Sequence, residues 1–222
     1  MEASLDTNII IHLYQVNMQD MLFTRFDHIY VHEQISTVEM VRRALPEVLA
    51  AFRQDVDSGR IEEMTNDRLN QLGVLSLYRQ HYNDNEILYN LGDKGEVCAI
   101  ALARTLGISA LITDDIKEYG PHFTLMLEPD TSVFPFAFYE LLFFDYLEDI
   151  LKTPQDLRAA FETVNQHIEK PMNFQSKQKG VIRRFFRGTE KDKKWMEDFC
   201  AQKNIHCTAK LSLLHNWLGQ NP

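Results

Sequence analysis

The segment SLDTNIII, Ser4–Ile11, places a carboxylate inside an apolar run. A strand buried on both faces does not accept an acid in its middle, whereas an acid at its carboxyl end is well placed for chemistry. Glu39, Glu96 and the pair Asp114-Asp115 share that character: Glu39 lies on a helical pattern after the second candidate strand, Glu96 in the first turn of a later helix, and Asp114-Asp115 after the apolar run ISALIT. Carboxylates gathered in one crevice repel each other unless a cation joins them. Oxygen ligands of this kind suit Mg²⁺ or Mn²⁺, which keep several waters and use few protein carboxylates. Such an ion activates water and stabilises charge on a phosphodiester, the metal route to nucleic-acid hydrolysis.

Several elements must position these acids. Ala3–Leu5 reads as a short buried strand ending at Asp6, and His28–His32 as a second strand. A helical pattern runs from Glu33 to about Leu45, where Pro46 ends it. Glu47–Val56 and Asp67–Gln80 read as amphipathic helices, with Arg60–Met64 as a short strand between them and Asp84–Gly92 as a polar loop. DKGEVCAIALARTLG is the clearest helix, with Gly107 as its cap; ISALITDD then reads as a buried strand ending in acids, and Phe123–Leu127 as a last strand. Strand–helix–strand alternation predicts an α/β sandwich with a mainly parallel sheet, whose ligands bind outside the carboxyl ends of the strands. After Pro135 the pattern becomes helical: Phe136–Leu151 is apolar nearly all round, and Thr153-Pro154 caps and opens another helix. Glu190–Gln202 and Lys210–Leu218 each read as a helix. The expected division is a domain over 1–134 and a mostly helical extension over 135–222.

The chain has 222 residues and 45% hydrophobic composition, enough for a substantial core. No apolar run is long and charge-free enough to span a bilayer, and Glu2 and Asp6 argue against a signal peptide. Three cysteines make no disulfide framework, so the cytoplasm is the expected compartment. The net charge of −9 hides an asymmetry. Between Lys170 and Lys194 nine cations face two acids, a local +7 that leaves −16 on the remainder.

In that order, SLDTNIII, ISTVEMVRRAL around Glu39, and DKGEVCAIALARTLGISALITDDIKEY resemble the PIN domain, the nuclease module of many toxin–antitoxin toxins and RNA-processing enzymes. The resemblance covers roughly Met1–Glu128. It implies a PIN-like α/β/α sandwich and a metal-dependent ribonuclease. On it Asp6, Glu39, Glu96 and Asp115 are the catalytic acids, Asp115 rather than Asp114 because of the T-x-D spacing from Thr113. Asp6, Glu96, Asp114 and Asp115 are the candidate ligands of Mg²⁺ or Mn²⁺. The implied partners are an RNA substrate and, for a toxin, an antitoxin-like protein; a homodimer is the other partner considered. The long stretch Ala44–Gly92 and the last ~90 residues depart from the minimal domain of the family.

An acidic crevice repels RNA, so a nuclease of this kind needs basic surface. Lys177, Lys179, Arg183, Arg184 and Arg187, interleaved with Phe174, Phe185, Phe186 and Trp195, are the candidate nucleic-acid contacts: charge for phosphates, rings for bases. They are expected to wall the RNA path. The competing reading is a solvated helix face whose aromatics anchor it to the body.

Each acid also has an ordinary explanation: a helix cap for Asp6, a solvated helix position for Glu39, a dipole partner for Glu96, a turn for Asp114-Asp115. Cys98 reads as core, and His12, His28 and His32 as structural. Cys200, His206, Cys207 and His215 match no zinc spacing. The rival function is a non-catalytic interaction module that keeps the PIN fold. An aspartate-based phosphatase is disfavoured because Asn8 stands where a second acid is needed, and dinucleotide binding because no G-x-G-x-x-G follows the first strand.

Overall fold

A computed structural model describes residues 1–89, 94–128 and 131–220. The chain divides into two units, Met1–Phe138 and Tyr139–Pro222.

The first unit is built on a five-stranded, all-parallel sheet. In chain order its strands are β1 (Glu2–Leu5), β2 (His28–His32), β3 (Glu62–Met64), β4 (Ala110–Ile112) and β5 (Phe134–Phe136), arranged β3-β2-β1-β4-β5. The chain winds outward from β1 through β2 to β3, then returns to lay β4 on the other side of β1. That reversal opens a crevice at the carboxyl ends of β1 and β4. Leu5 pairs with Ile112, so the next residues, Asp6 and Thr113, emerge side by side. The Asp6 N–H still donates to the Ile112 carbonyl at 3.0 Å. β1 can be central because Ala3 and Leu5 are fully buried and the buried Ser4 hydroxyl donates to the Ala99 carbonyl at 2.9 Å.

The helix Lys94–Leu106 is buried continuously from Gly95 to Ala103, and Gly107 ends it at φ +70°. Glu39 ends a π-helical turn, Gln34–Glu39, that runs into the short α-helix Met40–Arg43. Such wide turns recur where a helix must aim a functional side chain.

Several expectations are corrected. Residues 123–127 are not a strand but part of the helix Pro121–Leu127, because Gly120 and a proline at the first helical position open a helix there. The last strand lies further on, at Phe134–Phe136, on the sheet edge, where Pro135 is tolerated for want of an N–H. Gly73, at φ +74°, splits the expected helix over Asp67–Gln80 into Asn66–Gln71 and Leu75–Tyr89. The second of these runs through Asp84, where a loop was expected; residues 90–92 of that expected loop lie outside the described residues.

The second unit is helical. After Phe138–Leu147 come Pro154–Asn165, Phe174–Arg187, Glu190–Lys203 and Cys207–Gln220. Thr153 caps Pro154–Asn165 as the Thr-Pro pair foretold, and Asp156 completes a capping box with it. Its core is aromatic: Phe144 lies 5.3 Å from Phe185, 5.1 Å from Trp195 and 5.2 Å from Phe199, ring centroid to centroid. The Cys200 and Cys207 sulfurs stand 2.7 Å apart across the turn between the last two helices.

Candidate functional site

Asp6 caps the helix Thr7–Gln15: its Oδ1 accepts from the Thr7 N–H at 2.6 Å. The ordinary reading of Asp6 is therefore correct, but it uses only one carboxylate oxygen. Oδ2 accepts from the Thr113 hydroxyl at 3.1 Å, and the Thr113 oxygen accepts from the Asp115 N–H at 3.1 Å. On the other side the Thr7 hydroxyl donates to Glu39 Oε2 at 2.5 Å. The two threonines thus link the acids from β1, the π-turn and the loop after β4.

Glu96 completes the set. Its helix approaches Glu39 through Gly95, where a Cβ would fall 2.4 Å from Glu39 Oε2, so a larger residue there would push that carboxylate aside. Glu96 hydrogen-bonds with Asp115, and the Lys117 ammonium pairs with Asp115 Oδ2 and lies 3.9 Å from Glu96 Oε1. Burial alone would raise the Asp115 carboxyl; the Glu96 hydrogen bond and the Lys117 ammonium outweigh it and hold Asp115 below the usual range. Asp6, Glu39 and Glu96 are all buried. Arg43 Nη1 adds positive charge 3.7 Å from Glu39 Oε2.

The structure therefore brings Asp6, Glu39, Glu96 and Asp115 together, and turns Asp114 away. The two oxygens of Asp114 serve other partners: Oδ2 meets His12 Nδ1 at 2.7 Å, and Oδ1 accepts from the Phe138 N–H at 3.0 Å. The backbone turns tightly at Asp115, where the Ile116 N–H donates to the Asp114 carbonyl at 3.0 Å, so the two side chains leave the loop in different directions. Glu39, whose ordinary explanation is a solvated helix position, is instead buried. Sequence reasoning missed Lys117 as a member of the site; its signal was a lysine two residues beyond Asp115.

The acids are strung along hydrogen bonds rather than gathered on one point. Among the described residues no group of three or more His, Cys, Asp or Glu side chains stands ready to hold a metal ion, and this includes Cys200, His206, Cys207 and His215.

The basic segment resolves into the helix Phe174–Arg187. Lys179, Arg183 and Arg187 are exposed. Lys177 is half-buried over the Tyr139 ring, 5.3 Å from its centroid. Arg184, expected to meet RNA, is instead buried, its Nη1 donating to Glu140 at 2.8 Å and its Nε to Asp192 at 3.0 Å. Phe174 and Phe185 are core residues, whereas Phe186 and Trp195 are half-buried.

His32, the last residue of β2, is buried and its ring stacks on Tyr78 at 4.9 Å. Burial pushes its imidazole down to about 4, against the opposing charge of Glu33. Its unfolded value is near 6.5, so the unfolded chain binds the extra proton between these limits. Stability is complete above about pH 6.5 and falls by roughly 3 kcal/mol as pH drops toward 4. Urea denaturation at pH 7 and 4.5 checks this: the loss should be smaller in His32→Gln than in the natural chain.

Compared with protein-family models, curated proteins and solved structures, the chain matches none. Among the described residues no helix is long and apolar enough to cross a membrane. The fold and site define an α/β protein with a parallel sheet and a buried acidic cluster at its switch point.

Proposed function

We propose that the chain is a metal-dependent ribonuclease with a PIN-like first unit. One observation carries this reading: four acids from four separate segments, Asp6, Glu39, Glu96 and Asp115, are linked in one hydrogen-bonded chain where the strand order reverses. Their chemistry, hard carboxylate oxygens, is the kind Mg²⁺ or Mn²⁺ takes, and an ion would have to draw them in from the hydrogen-bonded chain in which they stand. A bound ion would supply charge stabilisation to a phosphodiester under attack.

The chain's own residues prepare that site. Thr7 and Thr113 fix the Glu39 and Asp6 carboxylates by donating to them. A cation held by Asp115 and Glu96 would compete with protons for the same oxygens, so its binding would tighten with rising pH. Lys117 is the resident counter-charge, on a flexible stem that can withdraw. The same lysine favours the second reading, a non-catalytic interaction module, because it neutralises the acids without a metal.

The deciding experiment incubates end-labelled single-stranded RNA with the purified chain and Mn²⁺ or Mg²⁺, with and without chelator. Cleavage that chelator stops supports the nuclease. No cleavage with either ion, or cleavage indifferent to chelator, overturns it.

The surface for RNA is the exposed face of the Phe174–Arg187 helix. Lys179, Arg183 and Arg187 recur every four residues, which spaces them by roughly 6 Å along one stripe. Each phosphate contact on a single strand contributes about 0.7 to the salt slope, so replacing all three with glutamine should flatten that slope by roughly 2. Fluorescence anisotropy at several salt concentrations reads it; an unchanged slope would assign the stripe to another role.

A further inference from the structure

A second feature of the first unit lies next to the acids and takes no part in them. It is a cavity of about 270 Å³ lined by His32, Gln34, Asn66, Tyr78, Arg79, Tyr82, Asn83, Lys94 and Cys98. It sits at the carboxyl ends of β2 and β3, since His32 ends β2 and Asn66 follows β3. The sheet register places it close to the site. Ser4 pairs with Tyr30, so Asp6 and His32 lie two residues beyond that pair on neighbouring strands. One helix serves both features: Lys94 and Cys98 line the cavity, while Gly95 and Glu96 pack against Glu39 and Asp115.

A polar position without a partner lies beneath the cavity. His32 Nδ1 accepts from the Gln34 N–H at 3.1 Å, which leaves the proton on Nε2. That Nε2–H is buried, closed to water, and has no hydrogen-bond partner among the described residues. An unpaired buried donor is expensive, so the fold gives up stability at this floor. The Tyr78 hydroxyl is also buried without a partner of hydrogen-bond geometry among the described residues; only the weakly bonding Cys98 thiol lies beside it. Around this floor stand a half-buried ring, Tyr82, two exposed cations, Arg79 and Lys94, and the exposed amide of Asn83. Ring, amide and cation together suit a nucleobase carrying a phosphate: a flat face to stack, a polar edge to meet the amide, and an anion at the rim.

We infer that this cavity is a nucleobase subsite that takes one base of a single-stranded RNA, with Tyr82 stacking on the base, the Asn83 amide meeting its polar edge, and Arg79 and Lys94 meeting the adjoining phosphate. This deepens the ribonuclease reading and rests on it. The subsite positions the nucleotide neighbouring the one whose phosphate reaches the acids.

The test uses the full chain carrying Asp6→Asn, so that RNA is bound and not consumed. A fluorescein-labelled RNA hexamer of mixed sequence and the four nucleoside monophosphates are titrated by anisotropy and by competition. In this background Tyr82→Ala should weaken hexamer binding about tenfold, the scale of one lost base–ring stack, and Tyr82→Phe should restore it. Unchanged binding in Tyr82→Ala, with an unchanged melting curve, overturns the subsite. If Tyr82→Ala weakens the monophosphates but not the hexamer, the ligand is a soluble nucleotide and the assignment to a strand is overturned. Cleavage by the chain with Asp6 intact, measured in parallel, separates the two claims. Cleavage with Tyr82-independent binding removes the subsite alone, whereas Tyr82-dependent binding without cleavage removes the nuclease alone.

Discussion

Asp6→Asn should lower RNA cleavage by at least about a hundredfold, the scale on which a site loses a group that stabilises transition-state charge. The fold should stand. Asparagine caps a helix as well as aspartate does, so the bond from the Thr7 N–H persists through Oδ1. What changes is Oδ2, which becomes an amide nitrogen facing Thr113 and removes one negative charge from the cluster. Asp6→Ala is the necessary companion: it removes the cap as well and should cost about 1 kcal/mol in stability. If Asp6 is only a cap, Asp6→Asn is neutral in both activity and stability. Single-turnover cleavage beside thermal melting separates these cases.

Arg184→Ala should be the most destabilising single change in the second unit. Its guanidinium is buried between Glu140 and Asp192, both buried themselves, and the Thr189 hydroxyl holds the far oxygen of Asp192 at 2.8 Å. Deleting the cation strands two carboxylates in a medium that cannot solvate them, which costs about 3–5 kcal/mol. Arg183→Ala, one residue away and exposed, should cost less than about 0.5 kcal/mol. The two variants form an internal control in urea denaturation. An equal, small effect would mean that water reaches Arg184. Replacing Arg184 and Glu140 together with methionine should recover part of the loss, because an apolar pair carries no desolvation cost.

The contrast between Arg183 and Arg184 shows where the sequence could be read and where it could not. A run of cations announces a basic element, but which member turns inward depends on partners far away in the chain; Glu140 is 44 residues upstream. The acids were legible because each stands at a boundary that sequence marks well: the end of an apolar run for Asp6 and Asp115, the first turn of an alanine-rich helix for Glu96. The choice between Asp114 and Asp115 was open to residue chemistry alone and is decided by His12 and the Phe138 N–H, both distant in sequence. Phe123–Leu127 looked like a strand because it is a short apolar run opened by Phe123 and Thr124, yet Leu125, Met126 and Leu127 are good helix formers and Pro121 fixed the first turn of a helix. Ala110–Ile112, three fully apolar residues behind Gly107, could hardly be anything but a buried strand. Lys117 escaped notice because a lone lysine beside two acids is ordinary on a surface; only the fold sets it between Asp115 and Glu96.

Under the proposed function these four acids take up a divalent cation in place of Lys117. Electron paramagnetic resonance of Mn²⁺ titrated with the chain at pH 7.5 should then show one bound ion per chain, displaced by Mg²⁺, lost in Asp115→Asn and held more tightly in Lys117→Gln. No bound ion in the natural chain, or binding indifferent to Asp115→Asn, would exclude a metal site at these acids.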